Sequence, residues 1–516
     1  MLLLSGLKHW GVLYTEKGEN ASGTTKSNTS KILQTSPIDK NGYLWDNTAD
    51  SEEDSMSYDT VIIGAGMSGL AAGIRLAHYN QRVCILEQHH AIGGLNSFYR
   101  QRGRTLDVGL HAMTNYVPKG TKSGPLSRLL RHLRLTWDEL ALVPQIGSTI
   151  AFPEIRLNFN NHFELFVSEV QRYFPKQVDG LMRMVNELLD YDQLGLGVSG
   201  GSAREFVNRH ITEPTLAEMI FCPLLYYGGA KERDMEFGQF SIMFRSIFLE
   251  GFARPFDGVR LILKKLINKF KALGGELRLR TGVQRISAKD QRVDKIALCD
   301  GSEIEAKNVL SSAGWQETMQ LCDVCETKDP NLLGTGQLGF IETISVLDKE
   351  PKQLGHNRTI IFFNDSDRFC YEKPEDAVDL RSGVICSPNN FDYAELMNEG
   401  MIRITALANF DRWKRLSPEK YQEQKSIWYE KISESAIRFM PDFRQHVVDT
   451  DIFTPTTVHR FTGKENGAIY GAPDKKYDGR THLDNLYVCG TDQGMVGIVG
   501  AIVSGITIAN RYLLAE

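Results

Sequence analysis

No stretch of this 516-residue chain reaches the ~18 consecutive apolar residues that a membrane-crossing helix needs. The most apolar long segment, Met495 to Ala509, is broken by Gly497, Gly500 and Gly505. A spanning segment is therefore not expected. Cysteine is sparse as well: the 8 cysteines lie singly apart from Cys322 and Cys325, which is not the pattern of a disulfide-stapled secreted domain. A reducing compartment is expected. No second pair or histidine follows Cys322-Asp-Val-Cys325 at zinc-binding spacing, so the pair reads as structural and no metal is expected. Positive charge is not in excess either. With 59 Lys and Arg against 64 Asp and Glu, a net charge of −5 offers no broad attraction to phosphate backbones, and nucleic acid is not an expected partner.

What is present is a globular composition, 42% apolar and 24% charged. Single cores stop growing near ~250–300 residues, so a chain of this length predicts two domains. The first 56 residues stand apart. A short apolar start, Met1 to Leu4, runs into a stretch rich in Ser, Thr, Asn and Asp that has no helix or strand period. They read as a disordered extension without the charged start, long apolar region and cleavage site of a secretory signal. Met56, just ahead of the first strong strand, is an expected alternative start.

From Tyr58 the pattern sharpens. Tyr58-Asp-Thr-Val-Ile-Ile63 is a short strand-like run that opens directly into Gly64-Ala65-Gly66-Met67-Ser68-Gly69 and a helical pattern through Ala77. Gly64 permits the turn, Gly66 lets a pyrophosphate approach the backbone, and Gly69 lets the helix pack against the strand. A second strand, Arg82 to Leu86, ends in Glu87, where a carboxylate can accept hydrogen bonds from an unphosphorylated ribose. Gln88 follows it. Strand, triplet, helix, strand and acid in this order specify a dinucleotide-binding βαβ unit. Gly195-Leu-Gly197-Val-Ser-Gly200 repeats the letters of the motif but follows a helical pattern, Leu181 to Leu189, and reads as a flexible connection.

Several segments further on resemble one family, the FAD-dependent carotenoid (phytoene-type) desaturases and carotenoid isomerases, together with the retinol saturases. Gly93-Gly94-Leu95 is similar to its second glycine motif, which the resemblance places beside the flavin diphosphate. Leu106-Asp107-Val-Gly109-Leu-His111 resembles the segment near the flavin ring, and on that basis His111 is the candidate catalytic residue. Arg254-Pro255-Phe-Asp-Gly258, with Val283 implied to touch adenine, resembles another family segment, as does Asn308 to Gly314. Thr454 to Gly463 and Asn466 to Gly471 look like its late substrate-domain motif. Asn485-Leu-Tyr-Val-Cys-Gly490-Thr-Asp492 resembles the strand and turn whose Asp binds the ribityl chain, followed by a helix from Gly494 to Arg511. Two departures matter. Leu95 stands where amine oxidases and many desaturases carry Arg, and Gly494 to Gly500 replaces a proline-containing turn. The first moves the resemblance toward isomerases and saturases.

The resemblance implies an α/β fold, with a discontinuous, glutathione-reductase-like Rossmann domain for FAD over residues 57–119, 251–320 and 476–516. An inserted α+β substrate domain would take residues 120–250 and 321–475. The aromatic stretch Phe237 to Phe252 reads first as a core helix and second as the wall of a polyene tunnel or a lipid-dipping face. The implied protein is a cytoplasmic, peripherally membrane-associated FAD enzyme. It would desaturate or isomerise a carotenoid or related long-chain polyisoprenoid. The alternatives are a polyene reductase of the retinol saturase type and a non-catalytic prenyl-lipid-binding escort of the same fold.

Overall fold

The computed structural model describes residues 58–109, 111–191, 201–323, 333–366 and 368–514. The N-terminal extension, the second glycine pattern at Gly195 to Gly200, and Cys325 lie outside the described residues. All seven described cysteines are free.

A five-stranded parallel sheet carries the dinucleotide motif. Its strand order is Leu486–Val488, Ala306–Ser311, Tyr58–Ile63, Val83–Glu87 and Glu276–Leu279. Parallel strands are covered on both faces, which is why residues 61–63 and 83–86 of the central strands read as unbroken apolar runs. On one face Ile62, Val83, Ile85 and Leu310 pack against helices Met67–Ala77, Pro125–Leu133, Val259–Ala272 and Gly497–Ile508. On the other, Val61, Ile63, Cys84 and Leu86 meet Ile286, Val293 and Ile296 of a three-stranded antiparallel sheet. Helix Pro125–Leu133 falls within the segment assigned by sequence to the substrate domain, yet it packs in this helix layer.

Glycine sets the depth of that layer. A Cβ on Gly505 would collide with the backbone carbonyl of Ser68, so the C-terminal helix can lie against the first helix only with a bare backbone there. Gly505→Ala is expected to lower stability by about 1–3 kcal/mol in a urea titration, because the helices must move apart. The last helix begins later than its sequence pattern suggests. Thr491–Gln493 forms a tight turn and Gly494 has φ +89°, so regular helix starts at Gly497.

A second sheet has seven strands in the order Val447–Phe453, Gly339–Leu347, Gly400–Ala408, Ser382–Cys386, Ile360–Asn364, Ser148–Ala151 and Arg156–Phe159. All neighbours are antiparallel except Ile360–Asn364 with Ser148–Ala151. Ile341, Ile402 and Ile404 on one face pack with Trp428 and Ile432 of helix Pro418–Ala436. The opposite face is covered in part by an aromatic cluster. Phe240, Phe244, Phe248 and Phe252 are all 0–1% exposed, and the Phe166 and Phe244 rings lie 4.6 and 4.9 Å from that of Phe248. The aromatic stretch is core, and these four rings are not available to a lipid surface.

Candidate functional site

The first helix starts at Met67 with no side-chain cap and no acidic residue in its first turn. Its leading N–H groups therefore face outward with their partial positive charge, the arrangement that suits an anion. Gly66 has extended backbone, φ −72° and ψ 178°, and nothing lies within 4 Å of where its Cβ would be. Gly93 pairs alongside it as an isolated parallel bridge, its N–H donating to the Ala65 carbonyl at 2.9 Å. A Cβ on Gly94 would meet only the Gly66 Cα, at 3.9 Å. Two glycine motifs separate in sequence thus form one floor of bare backbone. Gly64, with φ +95°, and Gly69, whose Cβ would collide with the Gly64 carbonyl, form the tight turn behind it. Met67 and Ser68 are buried at the helix start.

Glu87 closes one end. Its carboxylate accepts from the Ala65 N–H and the His89 N–H, each at 2.9 Å, with one oxygen used per bond. Lone pairs are left for ribose hydroxyls. The exposed Gln88 places its Cβ 3.5 Å from the Cβ position of Gly282, next to half-buried Val283 at the head of strand Val283–Lys289. Gly490, with φ +98°, faces Ser68, whose hydroxyl would be 3.2 Å from a Cβ there. These features fit a dinucleotide lying across the glycine floor.

Asp492 is buried, and its two oxygens accept from the Trp315 and Ala472 N–H groups at 2.6 and 2.7 Å. The Lys464 ammonium is 3.6 Å away and bridges to Glu317 at 3.4 Å. Burial alone would raise the Asp492 pKa. Lys464, Lys475 and the two N–H donors overcome it and hold the carboxyl down to about 2.

Leu95, half-buried in the turn Gly94–Asn96, starts the segment that leads to His111. A Cβ on Gly109 would collide with the Leu95 carbonyl, so that segment doubles back closely on itself. Asp107 within it is paired with Arg254 at 2.7 Å in a buried ion pair, and a Cβ on Gly258 would collide with the same carboxylate. Two motifs noted separately in the sequence therefore meet. Beyond Asp107 the segment crosses to the second sheet, where Arg403 donates to the Val108 carbonyl at 2.7 Å. The Nε2 of His111 lies 3.2 Å from a Glu342 oxygen and 3.2 Å from the Thr405 hydroxyl. Glu342 is ion-paired with Arg403, and both are buried. Burial would raise the Glu342 pKa, but Arg403 and then His111 hold it below the usual carboxylate range.

A family model described as an NAD(P)-binding Rossmann-like domain matches residues 62–133. Over 89% of its length the chain is 23% identical to prolycopene isomerase 2, chloroplastic, of an Oncidium hybrid cultivar, and covers 84% of it. It is 24% identical, again over 89% of its length, to the all-trans-retinol 13,14-reductase of Danio rerio, and covers 87% of that protein. Along most of its length the chain is thus similar to carotenoid isomerases and retinol reductases. An oxidoreductase from Methanosarcina mazei shares the fold, with a TM-score of 0.63 at 16% identity, over 88% of this chain and 100% of that one.

This carotenoid isomerase and retinol reductase relative is an oxidoreductase. Sequence reasoning passed over Glu342 and Arg403 of the second sheet, each the lone charge in its strand, and Lys464 in the turn after helix Pro455–Thr462. The signal was present in Gly339-Phe-Ile-Glu-Thr-Ile-Ser-Val-Leu347 and Gly400-Met-Ile-Arg-Ile-Thr-Ala-Leu-Ala408, because a charge in a fully buried strand needs a partner. Among the described residues no helix is long and apolar enough to cross a membrane.

Proposed function

We propose that the chain is an FAD-dependent desaturase or cis–trans isomerase of a carotenoid or related long-chain polyisoprenoid. The observation that carries this reading is the path from the glycine floor, through Gly94 to Gly109, to His111, which meets Glu342 and Thr405 on the face of the second sheet. It offers a dinucleotide and a hydrocarbon one shared boundary. FAD, when bound, takes hydride from an allylic carbon, and its reduced form serves isomerisation.

In this reading Gly64, Ala65, Gly66, Met67, Ser68, Gly69, Gly93, Gly94 and Leu95 cradle the diphosphate. Glu87 and Gln88 hold the adenosine ribose, Val283 lies on adenine, and Gly490 and Asp492 flank the ribityl chain. His111 stands at the reacting end. The protein would be cytoplasmic and peripheral on the membrane that dissolves its substrate, and flotation with liposomes tests that contact.

The purified protein is expected to show a flavin absorption spectrum, to release FAD on denaturation, and to convert a poly-cis carotene supplied in liposomes. An unchanged product mass marks isomerisation and a loss of two mass units marks desaturation. A gain of two selects the reductase reading that the retinol reductase relative favours. A colourless protein without turnover sinks the proposal.

A further inference from the structure

We propose that Glu342 and Arg403 position His111 as the proton-transfer group of the reaction, Glu342 holding the Nε2–H so that Nδ1 is the nitrogen presented to the substrate. The inference rests on the functional reading above and supplies what that reading leaves open. When hydride leaves one carbon of a hydrocarbon, a proton must leave its neighbour, and some protein atom must take it.

A buried carboxylate–guanidinium pair gives little net stability compared with apolar residues of the same volume. Glu342 and Arg403 are 4% and 1% exposed on adjacent buried strands, so their presence calls for a purpose beyond packing. The register supplies one. Glu342 lies opposite Thr405 on adjacent strands, and Arg403 is two residues from Thr405 on the same face. That face receives the chain from Leu95 to His111: Tyr99 bonds to Asp451, Arg104 to Asp449 at 2.7 Å, and Arg403 to the Val108 carbonyl. The pair is therefore aimed at the segment that carries His111.

The hydrogen-bond chemistry then fixes the ring. An ionised carboxylate only accepts, so the nitrogen facing it must carry the hydrogen. Arg403 keeps Glu342 ionised, and His111 Nε2 is the nitrogen 3.2 Å from it. In the neutral ring Nδ1 is then the bare lone pair. It has no hydrogen-bond partner among the described residues, and the side chain is 13% exposed. When the substrate C–H bond breaks, its electron pair stays on carbon as the new double bond. The proton ends on Nδ1, and the resulting imidazolium is balanced by Glu342. The hydride from the neighbouring carbon is the flavin's share.

The other groups around this point are poor proton carriers near neutrality. Burial pushes the Cys386 thiol, which donates to the His111 carbonyl at 3.8 Å, up to about 12. It also raises the Tyr227 and Tyr99 hydroxyls, both of which feel Glu342 and Arg403, well above the phenol range. Imidazole is the side-chain type suited to the task.

The test uses the full-length, flavin-loaded protein labelled with 15N-histidine. Long-range 1H–15N correlation reads the His111 tautomer, with the signal assigned by its loss in His111→Asn. The wild type is expected to show the Nε2–H form. Glu342→Gln is expected to mix the tautomers and lower kcat roughly 100-fold, with KM and flavin content unchanged and the pH–kcat profile shifted. Glu342→Asp should restore part of the rate. Because Glu342→Gln leaves Arg403 without its anion, the double variant Glu342→Gln/Arg403→Met is measured beside it and is expected to behave alike.

An unchanged tautomer in folded Glu342→Gln or in the double variant overturns the positioning role. Full turnover in His111→Asn overturns the proton-transfer role. Absence of FAD and of any polyene product from the wild type instead defeats the functional reading itself. The three failures are distinguishable on the same samples.

Discussion

Gly66→Val is expected to leave the protein folded and to strip it of its cofactor. The backbone at Gly66 is extended, a conformation valine adopts readily, and its Cβ position has no neighbour within 4 Å. The folded chain can therefore accept the side chain. A dinucleotide cannot, because the branched carbons would stand on the floor that Gly66 and Gly94 leave bare, between the diphosphate and the N–H groups of the first helix. The expected loss is roughly 100-fold in FAD affinity, about 2.7 kcal/mol, read as flavin absorbance per protein after gel filtration. The melting temperature of the flavin-free protein should match that of flavin-free wild type. Gly69→Ala provides the contrast. Its Cβ would collide with the Gly64 carbonyl, so it should lower the stability of the flavin-free protein as well. If Gly66→Val keeps a full complement of flavin, the diphosphate does not lie where the proposal puts it.

Asp492→Ala is expected to act on the fold itself. The substitution leaves the Trp315 and Ala472 N–H groups without their acceptor and takes one of two carboxylates from the buried Lys464. Removing one partner from a buried ionic cluster costs about 3–5 kcal/mol. The measurement is the urea midpoint, or the unfolding rate where unfolding is irreversible. The same carboxyl gives the protein an acid limb. Its folded pKa is depressed to about 2, below the ~3.9 of an unfolded aspartate. Its contribution is therefore fully present above about pH 4 and is lost as pH falls toward 2, for a total of about 2–3 kcal/mol. The stability of Asp492→Ala should depend less steeply on pH across that window than the wild type. An equal slope would mean that the carboxyl titrates normally.

How far the sequence carries depends on how local each device is. Strand, glycine turn, helix, second strand and Glu87 lie within thirty consecutive residues, and each is held by its neighbours, so the βαβ unit is legible without any tertiary knowledge. The bridge between Gly66 and Gly93 was not, although both glycines were singled out, because nothing in either segment states that the other lies beside it. The polar group at His111 was less legible still. It is assembled by the register of strands Gly339–Leu347 and Gly400–Ala408, and a shift of one residue would turn Glu342 to the opposite face. Asp492 was visible as a residue after a strand, but Lys464 approaches it from the turn after helix Pro455–Thr462, through packing that no local pattern encodes.

The order of strands in the parallel sheet also bears on how the protein is made. Its central strand is among the first described segments to leave the ribosome, but its two edges, Glu276–Leu279 and Leu486–Val488, come from the middle and the far end of the chain. The first helix likewise waits for Gly497–Ile508 to cover it. A nascent chain must therefore carry the motif's two strands unpaired on their outer edges until Glu276–Leu279 and Ala306–Ser311 follow, and its first helix uncovered by Gly497–Ile508 until more than four hundred further residues have been synthesised. Such long-range pairing folds slowly and exposes aggregation-prone surface. In the proposed reading flavin capture follows the synthesis of these late segments, and truncations that remove Gly497–Ile508 should accumulate as flavin-free, chaperone-bound or insoluble protein.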